Sequence, residues 1–362
     1  MAGHHGQLPR LSRDQIQALS NISAEFQQWL NQNSPGKRPT LGDFTDVEGT
    51  RNATIASTSR LVARLGAAED TMEETSTNIT VRDGWISRAT ITRPSPKANK
   101  PAGPLIVLYH SGGFMAGTPE SMIAYARGLV RLFGATVICP SYRLSPEHQF
   151  PIPIDDAWDT LKWAGENAAS LNADPDKGFI VGGVSTGGNF SPVLARRAVE
   201  EELCPPLTGH WAGVPVFMRN TTVPEKYEDI WTSWTQNAGA PLINATDAEI
   251  LFDYYKPDFE SPLFNAIVPD GFDVCDLSPA FIMVSGMDLI RDDGIVYSYT
   301  LDDAGVPVQL KAYPGVPHSF WAYFPTLNQS RTAMVDIAQG VAWLLKTTVD
   351  EKEAADAMLK NY

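Results

Sequence analysis

Residues 183–187 read Gly-Val-Ser-Thr-Gly, preceded by the apolar run KGFIVGG and followed by the helix-like NFSPVLARRAVEEEL. A strand that turns abruptly into a helix forces its middle residue into strained dihedrals, and glycine on either side lets the two limbs pass. Ser185 would then stand above the carboxyl edge of a sheet, near the partly positive start of a helix. A hydroxyl is a weak nucleophile at neutral pH and needs a base to take its proton. Alone, the five-residue pattern is weak, because a plain glycine-rich bend reads the same way. Its partners decide between the two.

Six histidines make the search for a base short. His4 and His5 lie near the amino terminus, His110 and His148 precede Ser185, and His210 falls within a strand-like stretch. His318, in YPGVPHSFW, follows the last strand-like run, where a loop can bring its ring over the serine. The third member has to be a carboxylate that orients the imidazole and stabilises its cation. Asp288 ends AFIMVSGMD, after the nucleophile and before the histidine. Asp292 and Asp293 lie a turn later, where they would cap or solvate the next helix. Ser185, Asp288, His318 is the chain order of an α/β-hydrolase triad. A developing oxyanion needs N–H donors fixed in advance. YHSGGFMAG (109–117) offers Gly112 and Gly113 in a loop after an apolar strand, and Thr186 supplies the N–H following the nucleophile.

The elements that must position these groups follow from pattern. SRDQIQALSNISAEFQQWL opens with a capping box, Ser12 with Gln15, and puts Ile16, Leu19, Ile22, Phe26 and Trp29 on one helical face. STSRLVARLG gives a second short helix ending at Gly66. From residue 77, TNITVRD and WISRATITRP read as a hairpin turning at Asp83-Gly84. PLIVLYH, ATVICPSYRL, KGFIVGG, LTGHWAGVPVFM and SPAFIMVSG are apolar runs of the kind found where both sheet faces are covered. Amphipathic stretches alternate with them, which predicts a mostly parallel sheet of about eight strands between helices, closing with VPVQLKAYPG and a helix over 332–345. Residues 219–275 break the rhythm and are rich in aromatics. That stretch is too long for an ordinary connection. The expected organisation is N-terminal helices over 1–70 that help form a cap, a core over 71–218, a cap insertion over 219–275, and a second core segment over 276–362.

Composition limits the partners. Hydrophobic residues make up 43% and charged residues 19%, which suits a folded globular chain. Acidic residues outnumber basic ones 42 to 28, and a net charge of −14 repels phosphate backbones and anionic lipid surfaces. No run approaches a membrane span, and the first thirty residues lack a signal-peptide core. A soluble, cytoplasmic protein is therefore expected. Cys139, Cys204 and Cys275 are too few and too widely spaced for a disulfide frame or zinc site and read as buried small hydrophobes. No metal or other cofactor is expected.

Five segments together resemble the hormone-sensitive-lipase-like family of α/β-hydrolase esterases. HSGGF is similar to that family's HGGG(F/W) oxyanion loop and GVSTGGN to its GDSAGGN elbow. SYRLSPEHQFPIPIDDAWDTLKW resembles its YRLAPEHPFPAAxEDA segment, GMDLIRDDG its acid-bearing turn, and PHSF its histidine loop. The resemblance implies an α/β-hydrolase fold with a helical cap built from the N-terminal helices and an insertion. It also implies the triad and oxyanion donors named above, and no cofactor. Tyr142 to Glu147 would be structural. Relatives often pair through an edge strand or the last helix, which leaves a homodimer open. Three departures stand out. Ser111 replaces the first glycine of the oxyanion loop. Val184 and Thr186 flank the nucleophile, where the Thr186 side chain would narrow the pocket. Pro192 would kink the following helix.

The expected function is hydrolysis of a small to medium, largely apolar ester or lactone through an acyl-enzyme. Phe114, Trp231 and Tyr255 are the candidates for the substrate-binding wall, although the insertion's aromatics could equally form cap core. A non-hydrolytic reaction on the same scaffold, such as cyclisation, acyl transfer or C–C cleavage, is the alternative. A ligand-binding relative is the third reading: the gibberellin receptors of this family lack the histidine that His318 supplies here.

Overall fold

Ser12 and Ser23 each cap a helix in the computed structural model, which describes residues 8–362. The stretch expected as one amphipathic helix is therefore two, α1 (Arg13–Ala18) and α2 (Ala24–Asn33). The Ser12–Gln15 capping box forms as read. The break has a tertiary cause: Gly315 donates its N–H to Leu19 O at 2.8 Å and accepts that of Ser23 at 3.0 Å. These bonds replace helical ones, and Ile22, expected on the buried face, is exposed. The chain just before α1 is not loose, since Leu8 N–H and Arg10 bond Asp302. His4 and His5 lie outside the described residues.

Next comes α3 (Val47–Leu65), capped by Asp46 and much longer than its sequence signal. Arg51 pins α3 to the body through Met115 O (2.9 Å), Ser145 O (2.8 Å) and the Glu147 carboxylate. β1 (Met72–Thr80) and β2 (Ile86–Pro94) make the antiparallel hairpin. Then follow β3 (Leu105–Tyr109), α4 (Ile123–Phe133), β4 (Thr136–Pro140), α5 (Ile152–Glu166), β5 (Phe179–Val184), α6 (Thr186–Glu200) and β6 (Gly209–Gly213). α7 (Ser233–Gln236) and α8 (Ala245–Tyr255) lie between β6 and β7 (Ala280–Ser285). α9 (Arg291–Asp303), β8 (Val308–Tyr313), α10 (Phe320–Tyr323), α11 (Asn328–Leu344) and α12 (Glu351–Met358) complete the chain. The sequence reading missed α12, which Asp350 and Glu353 cap reciprocally. α6 is continuous through Pro192.

The eight strands form one sheet in the order β1-β2-β4-β3-β5-β6-β7-β8, with β2 alone running against the rest. This is the α/β-hydrolase architecture. Alternate strand residues feed two cores. Leu105, Val107, Tyr109 and Val181 pack with Trp158 and Leu161 of α5 and with Phe190 and Leu194 of α6. Ile106, Leu108, Ile180 and Phe281 pack with Leu129 of α4, Ile337 and Val341 of α11, and Met358 of α12. Each fully buried side chain of this kind stabilises the fold by about 1.5–3 kcal/mol. Because neither face of β3 to β7 meets water, these inner strands show no polar alternation.

β6 ends five residues earlier than its apolar run. Val214 adopts φ +44°, and the N–H groups of Phe217 and Met218 leave the sheet to donate to Asp293 Oδ2 at 2.7 and 3.0 Å. Asp292 and Asp293, expected as solvated or capping residues, are instead buried braces. Asp293 Oδ1 accepts the indole N–H of Trp231, and Asp292 Oδ2 accepts the N–H groups of Thr232 and Ser233. Burial pushes the Asp293 carboxyl up to about 7. Of the three free cysteines only Cys139 is buried; Cys204 and Cys275 are exposed. Among the described residues, no helix is long and apolar enough to cross a membrane, and no cluster of His, Cys, Asp and Glu is arranged to hold a metal ion.

Candidate active site

Ser185 sits between β5 and α6 with φ 57° and ψ −109°, a conformation that costs of order 1–3 kcal/mol and persists only where its surroundings impose it. What imposes it is crowding at the crossing of strand and helix. A Cβ on Gly183 would lie 2.6 Å from the backbone of Gly187, and a Cβ on Gly187 would lie 2.0 Å from Tyr109 O. Both glycines of the motif are thus dictated by contact. The N–H of Ser185 donates to Gly213 O at 2.8 Å, which ties the turn to β6.

The three residues expected to converge do so. His318 Nε2 lies 2.9 Å from Ser185 Oγ, and His318 Nδ1 lies 2.6 Å from Asp288 Oδ2. With Nδ1–H donated to the carboxylate, Nε2 is left to accept the serine hydroxyl proton. All three residues are buried. The turn bearing Asp288 is itself held: Ile290 N–H donates to Asp288 Oδ1, and Asn237 Nδ2 donates to Asp288 O at 2.7 Å. A serine, a neutral imidazole and a carboxylate in this relay can pass a proton away from the hydroxyl during attack on a carbonyl.

The loop after β3 lies beside the serine. The N–H groups of Gly112, Gly113 and Thr186 have no hydrogen-bond partner among the described residues, so all three are free to donate. Gly112 (φ +137°) and Gly113 (φ +59°) occupy backbone regions that L side chains rarely adopt. His110 sets the loop's orientation. Its Nδ1 donates to Ser111 O at 2.8 Å, and its ring stacks on Tyr142 with centroids 4.3 Å apart. Because the peptide is planar and trans, fixing the Ser111 carbonyl also fixes the Gly112 N–H in the opposite direction. Burial lowers the His110 pKa to about 4, so the ring is neutral at physiological pH. Tyr142 OH donates to His110 O at 2.9 Å, the structural part expected for that residue.

Thr186 does not narrow the pocket. Its Oγ1 turns into the loop and accepts Phe114 N–H at 2.9 Å, while Val184 and Ser185 line the cavity. That cavity, about 620 Å³, contacts Ser185, His318, Gly112 and Gly113. Its far wall comes from α3 (Thr50, Thr54, Thr58 and Leu61), with Phe44 and Leu251 adding apolar surface. Nothing in the sequence marks this wall beyond a helix with small and hydroxylated residues at helical spacing.

The three proposed wall aromatics lie elsewhere. Phe114 and Tyr255 stack with centroids 3.9 Å apart and planes at 4°, both buried in the core behind the loop. Trp231 borders a shallow surface groove beside Arg13 and Gln17, held there by its bond to Asp293. Of the two rings that the 219–275 insertion supplies, Tyr255 is buried in the core and Trp231 packs against its edge.

Residues 106–322 match the family described by the alpha/beta hydrolase fold. The chain belongs to that α/β-hydrolase family. Within it, the chain's motifs and relatives are those of the hormone-sensitive-lipase-like esterases. An AB hydrolase superfamily protein of Schizosaccharomyces pombe is 36% identical over 250 residues, covering 69% of this chain and 73% of the relative. Carboxylesterase NlhH of Mycobacterium tuberculosis is 32% identical over 286 residues, covering 78% of this chain and 83% of the relative. Among solved structures, vibralactone cyclase superposes on this hydrolase with a TM-score of 0.82 at 27% identity, covering 94% of this chain and 98% of that one.

Proposed function

We propose that this hydrolase cleaves carboxylic esters or lactones of small to medium, largely apolar substrates, with Ser185 as nucleophile. The observation that carries the reading is the continuous relay from Ser185 Oγ through His318 to Asp288, at 2.9 and 2.6 Å. Ser185 Oγ attacks the carbonyl carbon as His318 Nε2 takes its proton, and Asp288 stabilises the imidazolium. The negative oxygen of the tetrahedral intermediate accepts from the N–H groups of Gly112, Gly113 and Thr186. The intermediate collapses by breaking the bond to the alkoxy oxygen, which leaves with the proton from His318. Water then attacks the acyl-enzyme with the same histidine as base, releasing the acid and restoring Ser185. The scheme balances with water alone. The N-terminal helices and the 219–275 insertion serve as a cap, a reading supported by the cavity wall they contribute through α3, Ile243 and Leu251.

The likeness to vibralactone cyclase favours a second reading, in which a hydroxyl of the substrate intercepts the acyl-enzyme in place of water. The two differ by one water in the product mass. A fluorophosphonate probe should label Ser185 in the folded protein and not the Ser185→Ala variant. An ester and lactone panel read by mass should show the added water. Absence of label overturns both readings; products isomeric with the substrate overturn hydrolysis alone.

A further inference from the structure

Almost every arginine in this chain meets a carboxylate. Fourteen of them form ion pairs. Among the described residues three have no such partner, Arg60, Arg64 and Arg331, in a chain where acidic residues outnumber basic ones 42 to 28. Two of those three, Arg60 and Arg64, line the cavity that contains Ser185. They stand one turn apart on α3, where two like charges repel each other and would favour a neighbouring carboxylate. None is provided, since no Asp or Glu lines the cavity.

The first turns of the α3 wall do not compete for an anion. Thr50 Oγ1 donates to Asp43 O and Thr54 Oγ1 to Thr50 O, both at 2.9 Å, so these hydroxyls have already placed their protons. Toward the far end the same wall offers the hydroxyls of Ser57 and Thr58 and, as its charged donors, the two guanidinium groups, Arg64 lying over the ring of Tyr362, which lines the cavity as well. From Thr50 to Arg64 the helix extends roughly 20 Å, which gives the cavity one cationic end and leaves its other walls largely apolar and hydroxylated. A body of net charge −14 repels anions, so a cavity lined by no Asp or Glu side chain and by two arginines without an ion-pair partner stands out against the rest of the surface.

We propose that Arg60 and Arg64 form an anion subsite, and that the substrate is an ester or lactone carrying a carboxylate remote from the scissile carbonyl. This rests on the hydrolase reading given above. Guanidinium groups bind carboxylates through paired N–H donors, and the pairing selects among esters that react equally well at the carbonyl.

The test compares 4-nitrophenyl hydrogen adipate and hydrogen suberate with 4-nitrophenyl hexanoate and octanoate, which match them in chain length and lack the acid. At low salt, kcat/KM should favour an acid ester over its neutral partner at least tenfold, mainly through KM, and 0.5 M NaCl should shrink the ratio. In the Arg60→Gln/Arg64→Gln variant the ratio should fall close to one. Binding of the same four esters to the Ser185→Ala variant, followed by calorimetry, should show the same preference without turnover. Hydrolysis with no acid preference at either length, or a preference that survives loss of both arginines, overturns the subsite and leaves the hydrolase standing. Failure to hydrolyse any ester, with Ser185 unlabelled, overturns the hydrolase, and the binding measurement still decides the subsite.

Discussion

The side-chain oxygen of Thr186 accepts the backbone N–H of Phe114 at 2.9 Å, joining the first residue of α6 to the glycine loop after β3. Both segments carry free N–H groups, so one bond sets their spacing. Thr186→Val removes the acceptor and strands a buried N–H, which costs about 1–3 kcal/mol. A fall in kcat of about tenfold, with KM little changed and faster amide exchange at Phe114, is expected; Thr186→Ser should restore wild-type behaviour. Equal kcat in wild type and Thr186→Val would show that the bond does not position the loop.

On the proposed mechanism the relay should act as a unit. Ser185→Ala and His318→Gln should each lower kcat by roughly 10⁴-fold or more, and the double variant should be no worse than either single one. Asp288→Asn should cost roughly 10³–10⁴-fold, since the ring then loses the partner that fixes its tautomer. Initial rates on a short-chain ester check all three. Additive losses would mean the residues act independently.

Gly187→Ala places a methyl 2.0 Å from Tyr109 O, where backbone meets backbone and no side chain can yield. A destabilisation of about 3 kcal/mol in urea unfolding is expected, together with loss of activity. Gly239→Ala, where a Cβ would meet nothing within 4 Å, is the matched control and should stay within about 0.5 kcal/mol of wild type.

Tyr255 presents the opposite case. Its hydroxyl is buried without a hydrogen-bond partner, and its ring stacks on Phe114 away from the cavity. Tyr255→Phe should therefore raise stability by up to about 1 kcal/mol and leave the ester chain-length profile unchanged. A shifted profile would return this ring to the substrate wall.

Stability should fall on acidification from pH 7 to pH 5. Burial holds His110 down to about 4 and His210 to about 3, against 6.5 in the unfolded chain. Each contributes fully above pH 6.5 and loses its contribution as pH falls toward the folded value. Asp293 acts in reverse. Raised to about 7 from 3.8, it binds its proton earlier in the folded state and gains stability over the same window. Two imidazoles against one carboxyl leave a net loss of about 1 kcal/mol at pH 5. Asp293→Asn removes the opposing group, so its unfolding free energy should fall more steeply over that interval. A shallower slope in that variant would contradict the assignment.

What could be read in the sequence had a local or an ordinal signature. The inner strands were legible because helices cover both faces, which leaves runs such as LIVLY without polar interruption. The triad was legible from order, with each member following a strand. The break between α1 and α2 was not, because it is made by Gly315, almost three hundred residues away. The roles of Asp292 and Asp293 were hidden for the same reason, their partners being N–H groups at 217–218 and 232–233. Aromatic content could not separate pocket from packing, and Phe114, Trp231 and Tyr255 went to packing. The cavity wall on α3 escaped notice because threonine and serine at helical spacing carry no hydropathy signal.

β8 occupies the far edge of the sheet and releases the loop that carries His318, 133 residues after Ser185. On the ribosome, a chain that has completed β5 and α6 already owns its hydroxyl but has nothing to take the proton. The imidazole arrives only with the final edge strand, so the relay from Ser185 to Asp288 cannot close before the last part of the chain has been made.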